Sequence, residues 1–175
     1  MDWNNYVYIY SVSKDLSFGQ ALLSLEPGFK LLMRTSVVRE IGGFREEREL
    51  AGSEDWEMWV RLSLTTDFAY LQWVSVKLRT HPGNTMTNAS AMRNSMARAA
   101  DLFRSSDQLG PTYAPNLKRM DANIALVNAI NYCSQGERKE SARLLREAVS
   151  GDFGTLFDPR FGYTVFRLLK LSVGV

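Results

Sequence analysis

GGFREERELAGSEDWEMWVRL at residues 42–62, followed by RTHPGNTMTN at 79–88, is the stretch on which the reading of this chain turns. Ser53 stands where an N-cap belongs, and Trp56, Trp59, Val60 and Leu64 recur behind it at helical spacing. The pattern predicts a helix over 54–64 whose first turn carries two adjacent carboxylates, Glu54 and Asp55. A charged loop containing Gly42 and Gly43 leads into it, so these side chains can reach a cleft while the helix holds them still. Acidic residues at a helix start are also favourable for a plain reason. The helix dipole and the free amides stabilise each by about 0.3–1 kcal/mol.

Working outward, Asp15 to Leu25 read as a short helix ended by Pro27-Gly28, and FKLLMRT at 29–35 as a strand. Ser36 then caps a brief helix, VVREI, that closes at Gly42-Gly43. WVSVKLR at 73–79 alternates as a second strand does, and His81-Pro82-Gly83-Asn84 has turn composition. From Ala89 onward the texture is helical. A long helix over 89–105 has Met92, Met96, Ala99, Leu102 and Phe103 along one face. Residues 105–115 read as a linker or a chain reversal through Gly110-Pro111 and Pro115. Helices over about 117–134 and 137–150 follow, divided at Gln135-Gly136, with a last helix over about 161–172. The hairpin resembles half of a tetratricopeptide-type repeat pair, and without a second copy it makes no array.

Composition sets outer bounds. With 45% hydrophobic and 23% charged residues the chain has the make-up of a globular protein. A net charge of +2 argues against a nucleic-acid binder working by phosphate neutralisation. Cys133 is the single cysteine, so no internal disulfide can form, which fits a reducing compartment or a simple absence of need. The N-terminus lacks the apolar core of a signal peptide, and a cytoplasmic location is the expectation. The most apolar stretch, FGYTVFRLLKLSVGV at 161–175, is interrupted by Arg167 and Lys170 and is short for a bilayer span. It reads as a last helix packed on its neighbours, or as an amphipathic helix against an anionic membrane surface.

Together, the GGFRE, EDWE and R-x-H-x-x-N elements resemble the carboxyl-terminal half of the catalytic domain of family 2 glycosyltransferases with the GT-A fold, over roughly residues 20–90. The resemblance implies an α/β fold class, with a partial GT-A sheet over 1–88 and an all-helical tail over 89–175. It implies inverting transfer of a sugar from a nucleotide-diphospho-sugar donor to a carbohydrate or lipid-linked acceptor. Asp55 would take the acceptor's proton and Glu54 would support it. Arg79 and His81 would meet the donor diphosphate, and Gly43 and Trp56 the acceptor. A divalent metal, Mg or Mn, is implied as well, with His81 a candidate ligand.

The Asp-x-Asp motif that holds such a metal occurs nowhere in the 175 residues. The twenty or so residues ahead of the match are fewer than the roughly thirty of a βαβ unit. The chain alone is therefore expected to be inactive, and an unpaired sheet edge would favour self-association. The competing expectation is a non-catalytic protein-interaction module built on the helical tail. A hydrolase using Glu54 and Asp55 is excluded, because helix neighbours point about 100° apart and cannot flank one glycosidic bond.

Overall fold

In the computed structural model the described residues are 6–8, 33–66, 77–79 and 88–173. They form β1 (Tyr6–Tyr8), α1 (Thr35–Glu40), α2 (Glu54–Leu62), β2 (Lys77–Arg79), α3 (Ala89–Ser105), α4 (Leu109–Tyr113), α5 (Leu117–Ser134), α6 (Arg138–Gly151) and α7 (Pro159–Val173). Short 3-10 turns at Arg48–Leu50, Ala114–Asn116 and Phe153–Phe157 complete the order.

The helix boundaries follow from local chemistry. Asn88 Oδ1 accepts from Ala91 N at 3.0 Å and caps α3. The hydroxyls of Ser63 and Thr65 donate to the carbonyls of Val60 and Leu62, at 2.7 and 3.1 Å. These bonds draw the chain out of α2 two residues before the expected end at Leu64. Gly136 has φ +82°, the left-handed conformation that lets α5 reverse directly into α6. The Ser141 hydroxyl then ties the hairpin by donating to Ala129 O at 2.8 Å.

Two apolar clusters make the interior. In the first, Leu50, Trp56 and Val60 pack against Met92, Met96, Ala99 and Phe103 of α3, with Met120 and Val127 of α5 behind them. Trp56 meets Phe103 edge to face, centroids 5.0 Å apart. The second joins Ala125, Leu126 and Ala129 of α5 to Leu144, Leu145 and Ala148 of α6, with Phe161, Val165 and Leu168 of α7 laid over it. Helix α5 contributes to both clusters, which is why apolar residues occur on several of its sides rather than along one stripe. The first cluster also runs across residue 88, binding the EDWE segment to the helices that follow.

The expected α/β class with a partial GT-A sheet is overturned. Among the described residues the only β structure is β1 and β2, three residues each, paired antiparallel in the register Tyr6–Arg79, Val7–Leu78 and Tyr8–Lys77. Everything else regular is helical. Of the strand expected over 29–35, Met33 and Arg34 are irregular and Thr35 already opens α1, while 29–32 lie outside the described residues. Only 77–79 of the strand expected over 73–79 are described, and they are extended. A short apolar run carries no period long enough to separate strand from helix, and that ambiguity produced the α/β reading. The helix at 15–25 and the turn at 81–84 also lie outside the described residues.

The linker or chain reversal expected over 105–115 contains the short helix α4. Ser106 Oγ accepts from Leu109 N at 3.2 Å, and Pro111 falls in the first turn, where its missing N–H costs nothing.

Phe103, 1% exposed, joins α2 to α3, whereas Phe157 is 82% exposed. Phe103→Ala is expected to cost about 3–5 kcal/mol in denaturant unfolding. Phe157→Ala should change stability by less than about 0.5 kcal/mol.

Candidate functional site

The Gly42-Gly43 turn and the start of α2 are one built unit. Gly42 and Gly43 have φ of +81° and +71°, conformations a side chain would strain, and Gly43 N donates to Val38 O at 2.9 Å to close α1. The carbonyls that this turn leaves over are taken by Arg61 of α2. Its Nη1 donates to Ile41 O at 2.6 Å and its Nη2 to Gly43 O at 2.7 Å. The same guanidinium grips Glu57 one helical turn earlier, through Nε to Oε1 at 2.7 Å and Nη2 to Oε2 at 2.8 Å.

Arg45 adds a third donor to Glu57, from the loop, at 2.9 Å. Glu57 is 1% exposed. A carboxylate so withdrawn from water is tolerable only with this many charge-assisted partners. Farther along the loop, Arg98 of α3 binds Glu47 Oε2 through Nε and Nη2 at 3.0 and 2.7 Å, and Leu50 is fully buried. The segment 43–53 is therefore fastened at three points between α2 and α3.

Ser53 does precede the first helical residue, but its side chain does not cap α2. It is buried and shares a 2.8 Å hydrogen bond with Ser95 of α3. Glu54 turns back on the loop, its Oε2 accepting from Gly52 N at 2.5 Å. Asp55 Oδ1 accepts from Trp56 N at 2.7 Å. Both carboxylates are partly exposed.

Gly43 lies in the turn that Arg61 holds, so the structure brings Gly43, Glu54 and Asp55 into one tethered segment. Trp56 is 3% exposed and packs in the first apolar cluster, so its ring has no face open to a sugar. Arg79 belongs to β2, and His81 lies outside the described residues. A shallow open groove of about 510 Å³ runs between the 48–51 turn and α3, lined by Arg48, Glu49, Asn94, Arg98 and Asp101 among others. Neither Glu54 nor Asp55 lines it.

Among the described residues no group of three His, Cys, Asp or Glu side chains is placed to hold a metal ion. The metal expectation rested on Asp-x-Asp ligands foreign to this sequence and on His81.

No protein-family model, curated protein or solved structure matches this chain. With a helical fold in place of the GT-A sheet and no matching family, the resemblance to family 2 glycosyltransferases is corrected: the likeness stops at short motifs. Short motifs recur at helix starts because capping and dipole chemistry select the same few residues there.

The residues that organise the site, Glu57, Arg61, Arg45 and Ser95, were not singled out from the sequence. The Glu57/Arg61 spacing of four was a readable signal for a pair on one helix face. That the pair is buried and reaches across to Gly43 was not.

Replacing Glu57 by Gln leaves Arg61 and Arg45 partly uncompensated, and should cost about 3–5 kcal/mol of unfolding free energy. Arg61→Met should cost a similar amount, and the double variant much less than the sum of the two. Urea unfolding of the three variants measures this.

A pH dependence follows from Glu47. Its hydrogen bond to Arg98 is the main cause that holds its carboxyl below the usual value of 4.5, against partial desolvation. A lowered folded pKa means stability that is fully present above about 4.5 and lost as pH falls through the lower folded value. The melting-temperature advantage of the native chain over Arg98→Gln should therefore shrink on acidification from about pH 6 to pH 3.

Proposed function

We propose that the α2 start serves a sugar transfer from a nucleotide-diphospho-sugar to a carbohydrate or lipid-linked hydroxyl, with Asp55 as the general base. The reading rests on one observation above the others. The Glu57–Arg61 pair fastens the Gly42-Gly43 turn to the helix that bears Glu54 and Asp55, so two partly exposed carboxylates are held on a fixed element. Catalytic groups need this kind of support from packed neighbours. The local arrangement supports the positioning of the carboxylates, while the nucleotide-sugar donor is carried over from the likeness of the short GGFRE, EDWE and R-x-H-x-x-N motifs.

In the step proposed, the acceptor hydroxyl gives its proton to the Asp55 carboxylate as its oxygen attacks the anomeric carbon. The new C–O bond forms on the face opposite the breaking bond to diphosphate, so the configuration inverts. The electron pair of that breaking bond leaves with the nucleoside diphosphate. The effect of Asp55 depends on its positioning on the first turn of α2. Glu54, engaged by Gly52 N, braces the loop and can accept from a second acceptor hydroxyl through its other oxygen. On this reading the protein works in the cytoplasm, where a buried thiol such as Cys133 stays reduced.

Since the chain alone is expected to be inactive, the assignment is tested by turnover of nucleotide sugars in the presence of acceptor glycans, measured on the protein isolated from its own host together with whatever supplies the donor-binding half. Asp55→Asn keeps shape and hydrogen bonding while removing basicity, and should lower turnover by about 100- to 10,000-fold with donor binding nearly unchanged. Glu54→Gln should cost less in turnover and more in acceptor KM. Full activity in both variants would reduce the pair to a helix-start feature and end this reading.

A further inference from the structure

Of the eight large apolar side chains exposed among the described residues, all but Phe44 and Leu64 fall between residues 153 and 169. Phe153, Leu156 and Phe157 of the 3-10 turn are exposed, as are Tyr163, Phe166 and Leu169 of α7. Helix α7 explains half of this set. Phe161, Val165 and Leu168 lean on the second apolar cluster and Thr164 is buried. Gly162, Tyr163, Phe166, Leu169 and Lys170 recur at three- and four-residue spacing on the other side. The helix is thus apolar on both faces but packed on only one. The turn that carries Phe153 and Phe157 leads directly into it.

The charge on this element has a single sign. Residues 159–173 contain Arg160, Arg167 and Lys170 and no acidic residue. Arg160 is engaged by Asp158 at 2.8 Å and by Asn123 at 2.7 Å, and Asp152 lies 3.6 Å from Arg119. Among the described residues neither Arg167 nor Lys170 pairs with a carboxylate; each lies over an exposed ring instead. The Arg167 guanidinium is 5.9 Å from the Tyr163 ring centre, and the Lys170 ammonium is 5.4 Å from that of Phe166.

Exposed aromatic rings under cations that lack acidic partners are complementary to an anionic lipid surface, where rings enter the headgroup boundary and cations meet phosphate and carboxylate. No helix of the described residues is long and apolar enough to cross a membrane. A helix of 15 residues, about 22 Å long, suits lying in the interface plane. A second copy of the chain is a poorer occupant, since a two-fold contact on this face would bring like charges together.

We propose that α7 and the Phe153–Phe157 turn form a docking face for anionic phospholipid membranes. It is independent of the carboxylates of α2.

Co-sedimentation of the full chain with vesicles of phosphatidylcholine, with and without phosphatidylserine, tests this. Binding is expected to the mixed vesicles, with little to phosphatidylcholine alone, and should weaken as salt rises from about 0.1 to 0.5 M. Arg167→Gln with Lys170→Gln should weaken it about 20- to 30-fold, on the usual contribution of a cation near such a surface. Phe166→Ser with Leu169→Ser should weaken it about tenfold or more. These side chains are exposed or only partly buried, so unchanged melting temperatures should accompany the losses. Failure to sediment with mixed vesicles, equal binding to both kinds, or undiminished binding by the variants would overturn the proposal. So would a dimer that Phe166→Ser dissociates in a chain that ignores lipid.

Discussion

Glu57 is a carboxylate sealed from water on α2, and the arrangement of the first half of the described chain depends on how it is accommodated. Arg61 grips it from one helical turn away, and Arg45 reaches it from the loop. Because Arg61 also donates to Ile41 O and Gly43 O, the cost of burying the charge is offset by bonds that position the backbone. An apolar pair of similar size would fill the same space. It would not hold the Gly42-Gly43 turn at one distance from the helix start. Specific placement, more than net stability, is what such a pair supplies here.

A second constraint is the double service of α5. Met120 and Val127 face α3, while Ala125, Leu126 and Ala129 face α6 and α7. One helix thus couples the end of the molecule that bears the carboxylates to the end that bears the exposed rings. Small residues let α5 and α6 approach closely: Ala129 of α5 and Ala148 of α6 are both fully buried, and Ser141 of α6 bonds straight to Ala129 O. The two proposed surfaces lie on opposite sides of this helix in packing terms. They can therefore be perturbed separately.

The helical part of the fold was legible because it repeats. Met92, Met96, Ala99 and Phe103 announce α3, and Gln135-Gly136 marks the reversal between α5 and α6 within a residue or two of the observed ends. What misled was brevity. FKLLMRT and WVSVKLR are too short to show a period, and the spaced elements around them supplied a family likeness that the helical structure and the absence of matching families do not sustain. The helix start at Glu54 was read correctly, yet the role of Ser53 was not. An N-cap reading assumes a solvated serine, and this one is buried against Ser95, forty-two residues away.

The sequence by itself determined the periodic helices, the glycines that must end or reverse them, and the presence of two carboxylates on the first turn of α2. These are local properties, set by backbone sterics and by the spacing of side chains around one axis. Tertiary structure alone decided that Trp56 is core rather than surface, that Glu57 is buried with Arg61 and Arg45, and that one face of α7 stays open. Each depends on which distant segment comes to lie alongside. A residue's own neighbours in sequence carry no record of that, because burial is a property of the assembled surface.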